Sequence, residues 1–397
     1  MDYLRTNKKY FVLLYFFVLL MNSYLAFYES YDSLFFKPMI ALITISAFML
    51  FLTQDYRSHK FTKQSLLWLI LVVSIVINDL IKKDNEFSAI MEMCSLLVFV
   101  IPLIVVSDFN DLEFVAKKLP AIGFYFGTFL LIIGFIIKPY NKEDLLYSGL
   151  YNNPNALGVN ILVVIILGFI TLKNIKNISI KTLGILLVLV NIVVLLLTKC
   201  RSGLLGVVVF MYFYFLLIAY KRNKKMFKSF LIISTILLLI VGFAIFIAKP
   251  IITGNKDNLF SSRFELWESA FQVVKTYPIR GGSTQEISDI NIQYLGYDKS
   301  SFHNIFCDLA ARHGLPLLLL FCAILIISLY QIFLVGKVKK NEVDEIYIAL
   351  FILLACCGVN LVETLILTSF SPIALLQIFC MFYIDRFYNN EKQIKLN

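Results

Sequence analysis

Apolar runs long enough to cross a bilayer recur along almost the whole of this chain, near residues 10–29, 34–53, 64–82, 87–106, 119–138, 155–172, 178–198, 203–220, 227–248, 315–335, 346–368 and 370–387. A transmembrane helix needs about 20 such residues, so the runs predict roughly twelve helices. Composition agrees. The chain is 59% hydrophobic and 16% charged, with a mean hydropathy of +0.82, more apolar surface than a soluble protein of 397 residues requires. An open sheet cannot satisfy its backbone in lipid. The expected fold class is therefore an all-α polytopic membrane protein, a single integral-membrane domain over residues 1–397. The first run ends at Asn22-Ser23-Tyr24-Leu25-Ala26-Phe27-Tyr28 without a small-x-small cleavage site and reads as a retained anchor.

The net charge of +10 would suggest nucleic acid in a soluble protein, but here its distribution accounts for it. Of the 36 lysines and arginines, 22 fall in the termini and the loops on the same side as the N-terminus, including Lys221-Arg222-Asn223-Lys224-Lys225, and seven in the short loops opposite. By the positive-inside rule both termini are cytoplasmic. The block 249–313, between predicted helices nine and ten, then lies outside. No nucleic-acid partner is expected. The cysteines Cys94, Cys200, Cys307, Cys322, Cys356, Cys357 and Cys380 show neither a metal-type spacing in a loop nor a disulfide framework.

Four ionisable residues fall within predicted spans or at their borders: Asp79, Glu92, Arg201 and Glu363. All belong to the outer half, and charge at that depth normally faces a cavity or a partner. Asp79 reads as snorkelling to the interface. The four together suggest a polar chamber open to the outside. Asn360, Glu363, Thr364 and Leu367 share a helical face, which either points at that chamber or only ties helices together.

The long block holds two of the three histidines. Phe260, Phe264, Trp267, Phe271 and Val274 recur at helical spacing as an apolar stripe. A helix over 260–275 can lie in the membrane surface with its aromatics among the headgroups. Arg263 borders the stripe, either to meet a ligand there or to snorkel. Tyr277-Pro278-Ile279-Arg280-Gly281-Gly282-Ser283 reads as a turn, and Arg280 adds a second cation. His303-Asn304 opens a short helix ended by Gly314, with Asp308 and Arg312 placed to pair on its surface. Histidine can accept a proton from a hydroxyl at working pH, which makes His303 a base candidate. Lys199-Cys200-Arg201-Ser202-Gly203 sets an arginine at a helix N-terminus, where guanidinium, helix dipole and open N–H groups favour a phosphate. Asn153 and Asn155, beside Pro154, suit sugar hydroxyls or a helix cap.

These pieces together resemble the superfamily of O-antigen ligases and Wzy-type polysaccharide polymerases, membrane glycosyltransferases with a GT-C-like architecture. The resemblance rests on Cys200-Arg201-Ser202-Gly203, Arg263 through Trp267 to Pro278, Gly281 and Gly282, His303-Asn304 with Leu309 and Gly314-Leu315, and Asn153-Pro154-Asn155-Ala156-Leu157-Gly158. Cys200 stands where the family usually has serine. What it implies is an inverting reaction on the outer face of a bacterial cytoplasmic membrane, with a glycan on undecaprenyl pyrophosphate as donor and a sugar hydroxyl as acceptor. Arg201 and Arg263 would hold the pyrophosphate and stabilise it as it leaves. His303 would be the general base, and no metal or cofactor is expected. Arg280, Asn304, Asn153, Asn155, Trp267, Glu363 and Glu92 are the expected substrate contacts. A chain-length regulator and a flippase are expected partners beside the membrane lipid.

Three functions follow. A polymerase would join lipid-linked repeat units into O-antigen, capsule or exopolysaccharide. A ligase would pass finished glycan to another acceptor. A flippase or transporter would carry the lipid-linked sugars; repeated halves with midplane sites would mark it, whereas the charges here sit in the outer half beside a single long loop.

Overall fold

Asn153 and Pro154 start a helix for two separate reasons. The Asn153 side chain accepts the Ala156 N–H at 2.8 Å, and Pro154 at the first helical position gives up only a donor that had no partner. The same chemistry recurs at Asp108, whose side chain accepts from Asn110, and at Asn177, which accepts from Ser179 and Ile180. The computed structural model describes residues 7–26, 36–53, 61–82, 100, 104, 106, 108–140, 146–151, 153–222, 227–229, 231–233, 261–299, 301–338, 344–361, 363 and 371–396.

Ten long helices are described: α1 (Lys8–Leu25), α2 (Phe36–Thr53), α3 (Lys63–Lys82), α4 (Phe109–Ile137), α5 (Pro154–Asn174), α6 (Ile178–Thr198), α7 (Arg201–Arg222), α11 (Leu315–Val338), α12 (Asp344–Asn360) and α13 (Pro372–Leu396). Between α7 and α11 lie three shorter ones, α8 (Ser261–Thr276), α9 (Thr284–Leu295) and α10 (Ile305–His313). No strand occurs among the described residues. Seven helices, α1, α3, α4, α5, α6, α7 and α11, are long and apolar enough to cross a membrane; α2 and α12 are apolar but shorter. Helix α4 begins at Phe109, ten residues before the expected span. Most of the expected spans 87–106 and 227–248, with Glu92 in the first, lies outside the described residues, as do Thr364 and Leu367.

Helix α5 is the hub, packing on α4, α6, α7 and α13. Its best apolar window is 83% buried, against 28% for α6. Leu183, Leu186, Leu189 and Val193 of α6 point outward, an arrangement costly in water and favourable in lipid. At one end of α5, Gly158 and Gly203 let α5 and α7 approach closely. A Cβ on Gly203 would lie 2.8 Å from the Gly158 carbonyl oxygen.

The α8–α10 unit has a core of its own: Leu266, Ala270, Val273, Ile287, Phe302 and Ala311. The expected aromatic stripe is not the face that builds this core. The inward face of α8 is Leu266, Ala270 and Val273, while Phe264 and Phe271 are 57% and 64% exposed. The helix thus has two apolar faces, one filling the unit and one turned away from it. Where the unit meets the bundle, Asn78 donates to the carbonyls of Arg280 at 2.9 Å and His313 at 3.3 Å. Lys82 donates to the Arg312 carbonyl at 2.5 Å. Asp79 does not snorkel. It is 4% exposed, 3.3 Å from Lys82 of its own helix and 3.3 Å from His313 Nδ1, because the unit closes over the end of α3 and brings His313 where water would otherwise be.

Candidate functional site

Asn304 fixes the start of α10 and its position on the bundle with one side chain. Its Oδ1 accepts from the N–H groups of Phe306 at 2.9 Å and Cys307 at 3.3 Å, and its Nδ2 donates to the Leu361 carbonyl at 3.1 Å. His303, one residue earlier, has φ 52°, in the left-handed region that a side chain with a Cβ rarely adopts. Such strain persists only where the surroundings over-determine it, and here they do. The Asp308 carboxylate accepts the Phe302 N–H and the Ser301 hydroxyl at 3.2 Å each. Ser301 Oγ in turn accepts the His303 N–H at 3.1 Å, and the Trp267 indole donates to the Phe302 carbonyl at 3.1 Å. Asp308 does pair with Arg312, at 3.6 Å, but not on the surface. It is 1% exposed, because the backbone donors of the His303 turn are folded onto it.

The His303 ring reaches Glu363. Glu363 stands three residues past the end of α12, and its N–H donates to the Val359 carbonyl at 2.9 Å, the four-residue spacing of a helical turn. Its Oε1 accepts from Arg263 Nη2 at 3.0 Å, and its Oε2 lies 3.0 Å from His303 Nδ1. A carboxylate held by a guanidinium can only accept, so the proton of this contact belongs to Nδ1. Nε2 is then left to take one. Asn360 turns elsewhere: its Nδ2 donates to Gln377 Oε1 at 3.1 Å and to the Cys356 carbonyl at 2.8 Å. The polar face therefore divides, with Asn360 tying α12 to α13 and Glu363 facing the α8–α10 unit.

Arg201 starts α7, which lies antiparallel to α12. Phe213 stacks on Phe351 at 5.7 Å, and a Cβ on Gly206 would lie 2.8 Å from Val359 Cγ2. Continued four residues along each chain, this register brings Arg201 and Ser202 level with Glu363. Burial pushes the neighbouring Cys200 thiol up, and the Glu363 charge adds to that rise. Cys200 acts as the cap of α7: its Sγ accepts from the Gly203 N–H at 3.4 Å, where serine would offer a hydroxyl oxygen. Arg201 is exposed, and among the described residues none bonds its guanidinium.

Arg263 and His303 are joined through Glu363, Asn304 ties the same turn to Leu361, Trp267 supports the His303 turn, and Arg201 stands at the same end of the bundle. Asn153 is spent on its helix cap, while Asn155 is exposed nearby, its carbonyl 3.7 Å from Cys200 Sγ. Arg280 is joined to other partners. It stacks over Tyr277 at 4.5 Å and grips Glu286 with two bonds of 2.8 and 2.6 Å, holding that carboxyl down to about 2. Glu286 completes a capping box with Ser283. The sequence reading missed the Ser301–Asp308 clamp and the Ser283-x-x-Glu286 box. The box had a legible signal; the clamp depends on the left-handed turn at His303, which had none. Among the described residues no group of three His, Cys, Asp or Glu stands close enough to hold a metal ion.

The arrangement offers an imidazole nitrogen oriented by a carboxylate, a guanidinium sharing that carboxylate, and a second guanidinium at a helix N-terminus. Such a set can take a proton from a hydroxyl beside a bound anion. Residues 183–322 match the family model described as O-antigen ligase, Wzy_C. The matched segment includes Arg201, Arg263, Trp267, Arg280, His303 and Asn304; Glu363 and Asn153 lie beyond it. No curated protein matches the chain.

Proposed function

We propose that this chain, whose residues 183–322 match the family model described as O-antigen ligase, is a polysaccharide repeat-unit polymerase. It transfers a glycan from undecaprenyl pyrophosphate to a sugar hydroxyl of another lipid-linked unit. The observation that carries the reading is the convergence of His303 and Arg263 on Glu363, each at 3.0 Å. Glu363 accepts from Nδ1 and so keeps Nε2 directed at the acceptor hydroxyl. As that oxygen attacks the anomeric carbon, Nε2 takes its proton and the carbon–pyrophosphate bond breaks. Arg201 and Arg263 stabilise the negative charge that collects on the leaving pyrophosphate. The exposed pair Phe264 and Phe271 beside Arg263 supports a lipid-linked donor, because it can rest among headgroups while the arginine meets the phosphates. The small α8–α10 unit suits an acceptor that already lies in the membrane plane. In the proposed orientation these residues face outward from a bacterial cytoplasmic membrane.

The ligase reading shares every residue and differs only in the acceptor; the description of the matched family favours it. Gel analysis of a deletion strain separates the two. Loss of a polymerase leaves single repeat units in place of a long ladder, whereas loss of a ligase leaves long glycan on its lipid carrier. Normal chain length in both Arg201→Ala and His303→Ala strains would rule out the proposed site.

A further inference from the structure

The amide that joins Phe302 to His303 is held at both of its polar ends. Its oxygen accepts the Trp267 indole N–H at 3.1 Å, and its N–H donates to Ser301 Oγ at 3.1 Å. The Ser301 hydroxyl gives its own proton to Asp308 Oδ2 at 3.2 Å, so toward the amide it can only accept. Indole nitrogen, in turn, only donates. Turning the amide over would set N–H against N–H at Trp267 and oxygen against oxygen at Ser301. The two contacts therefore select one orientation. Asp308, 1% exposed, also accepts the Phe302 N–H at 3.2 Å, which fixes the residue before the amide. Rotation of this amide is rotation about φ of His303, the angle that stands at 52°. Phe302 is buried and Asn304 is fixed by its cap. Relaxing the angle thus moves the Cα between them, and the ring with it.

We propose that Trp267, Ser301 and Asp308 are positioning residues for His303. By holding the 302–303 amide in one orientation, they keep the imidazole 3.0 Å from Glu363 and leave Nε2 to take the proton. Asp308 acts through Ser301, and Trp267 spends its one polar hydrogen on the backbone instead of on a sugar. The assignment rests on the reading of His303 as the base. A left-handed residue with a Cβ is strained, so each contact removed shifts the turn toward conformations in which the ring no longer meets the carboxylate.

The test uses the full-length protein and two readouts. The chain has three histidines, so nitrogen spectra of histidine-labelled protein at alkaline pH can report each tautomer, with His303 assigned by its loss in His303→Ala. His303 should be the Nδ1–H tautomer in the unaltered protein and a mixture in Ser301→Ala, which removes only a hydroxyl. Ser301→Thr, which keeps the hydroxyl, should restore the single tautomer. In proteoliposomes, kcat for glycan extension should fall about tenfold in Ser301→Ala and in Trp267→Phe, with KM for the lipid-linked unit nearly unchanged. In a Glu363→Gln background, where the ring has lost its partner, Ser301→Ala should lower kcat by less than about twofold. If Ser301→Ala does not fold, Trp267→Phe decides by the same measurements. An equal loss in both backgrounds, or a lowered kcat with the tautomer unchanged, would overturn the proposal. A mixed tautomer with undiminished kcat would instead support the positioning and overturn the reading of His303 as the base.

Discussion

Glu363 carries two tasks at once, and a substitution that keeps its shape separates them from packing. In Glu363→Gln the side chain still fills its place beside α10, but Arg263 loses its countercharge and His303 Nδ1 faces an amide that can turn its donor toward the ring. Where an imidazole depends on a carboxylate for its tautomer, losing that charge costs up to about 10⁴ in turnover. The expectation is a fall in kcat of about 10²–10⁴-fold with KM for the lipid-linked unit changed far less, measured by glycan extension in proteoliposomes. An unchanged kcat would show that Glu363 only braces the fold. At this scale the residue types were legible and their pairings were not. His303, Arg201 and Arg263 were readable from motif order, but the carboxylate that joins two of them stands 60 residues from one and 100 from the other. Arg280 looked equivalent to Arg263 in local sequence. What separates them is Glu286, which claims the first guanidinium, while Glu363 faces the second.

The three short helices hold together through contacts that leave no space for a side chain at one turn. Gly281 has φ 71°, and a Cβ there would lie 2.2 Å from the Arg312 carbonyl oxygen, a backbone atom that cannot swing away. Gly296 ends α9 with a similar φ of 78°, yet nothing lies within 4 Å of its would-be Cβ. The pair forms an internal control. Gly296→Ala should cost about 1 kcal/mol, the strain of a left-handed alanine alone, whereas Gly281→Ala should cost about 2–5 kcal/mol because strain and overlap add. Thermal unfolding of the two purified variants checks the difference, and equal midpoints would mean that the 278–282 turn can shift without loss. Elements were legible wherever a cap and a period coincided, as at Asn304 with Gly314 or Asn153 with Pro154. The α8 stripe was legible as one apolar face but not as the outward one of two, because Phe264, Trp267 and Phe271 follow a helical spacing just as Leu266, Ala270 and Val273 do. Only the neighbouring helices decide which face turns inward.

Over the whole molecule, twelve similar apolar runs reveal that a bundle forms but not which helix lies at its centre, since a lipid-facing leucine and a buried one look alike in sequence. Nor do they reveal how the α8–α10 unit is fastened to that bundle. The fastening is the end of α3, where Asp79 lies between Lys82 and His313 with its side chain 5% exposed. Its position in an apolar run suggested an isolated charge seeking the interface, because the partner His313 is far away in sequence and Lys82 looked like an ordinary helix-end lysine. Removing the carboxylate takes a charged partner from Lys82, whose side chain is 1% exposed, and from His313. Breaking a buried pair in this way costs about 3–5 kcal/mol. In Asp79→Ala, Lys82 and His313 both lose their contact with this carboxylate at the seam, so the unit should detach more often, by about two orders of magnitude or more. Trypsin should then cut at Lys275 and Lys299 faster than in the unaltered protein. Glycan extension should fall alongside, although Asp79 is not among the residues that converge on Glu363. Faster cleavage with undiminished extension would mean that the reaction does not need the unit docked. Unchanged cleavage would mean that Asn78, Lys82 and the 278–282 turn suffice to hold the unit in place.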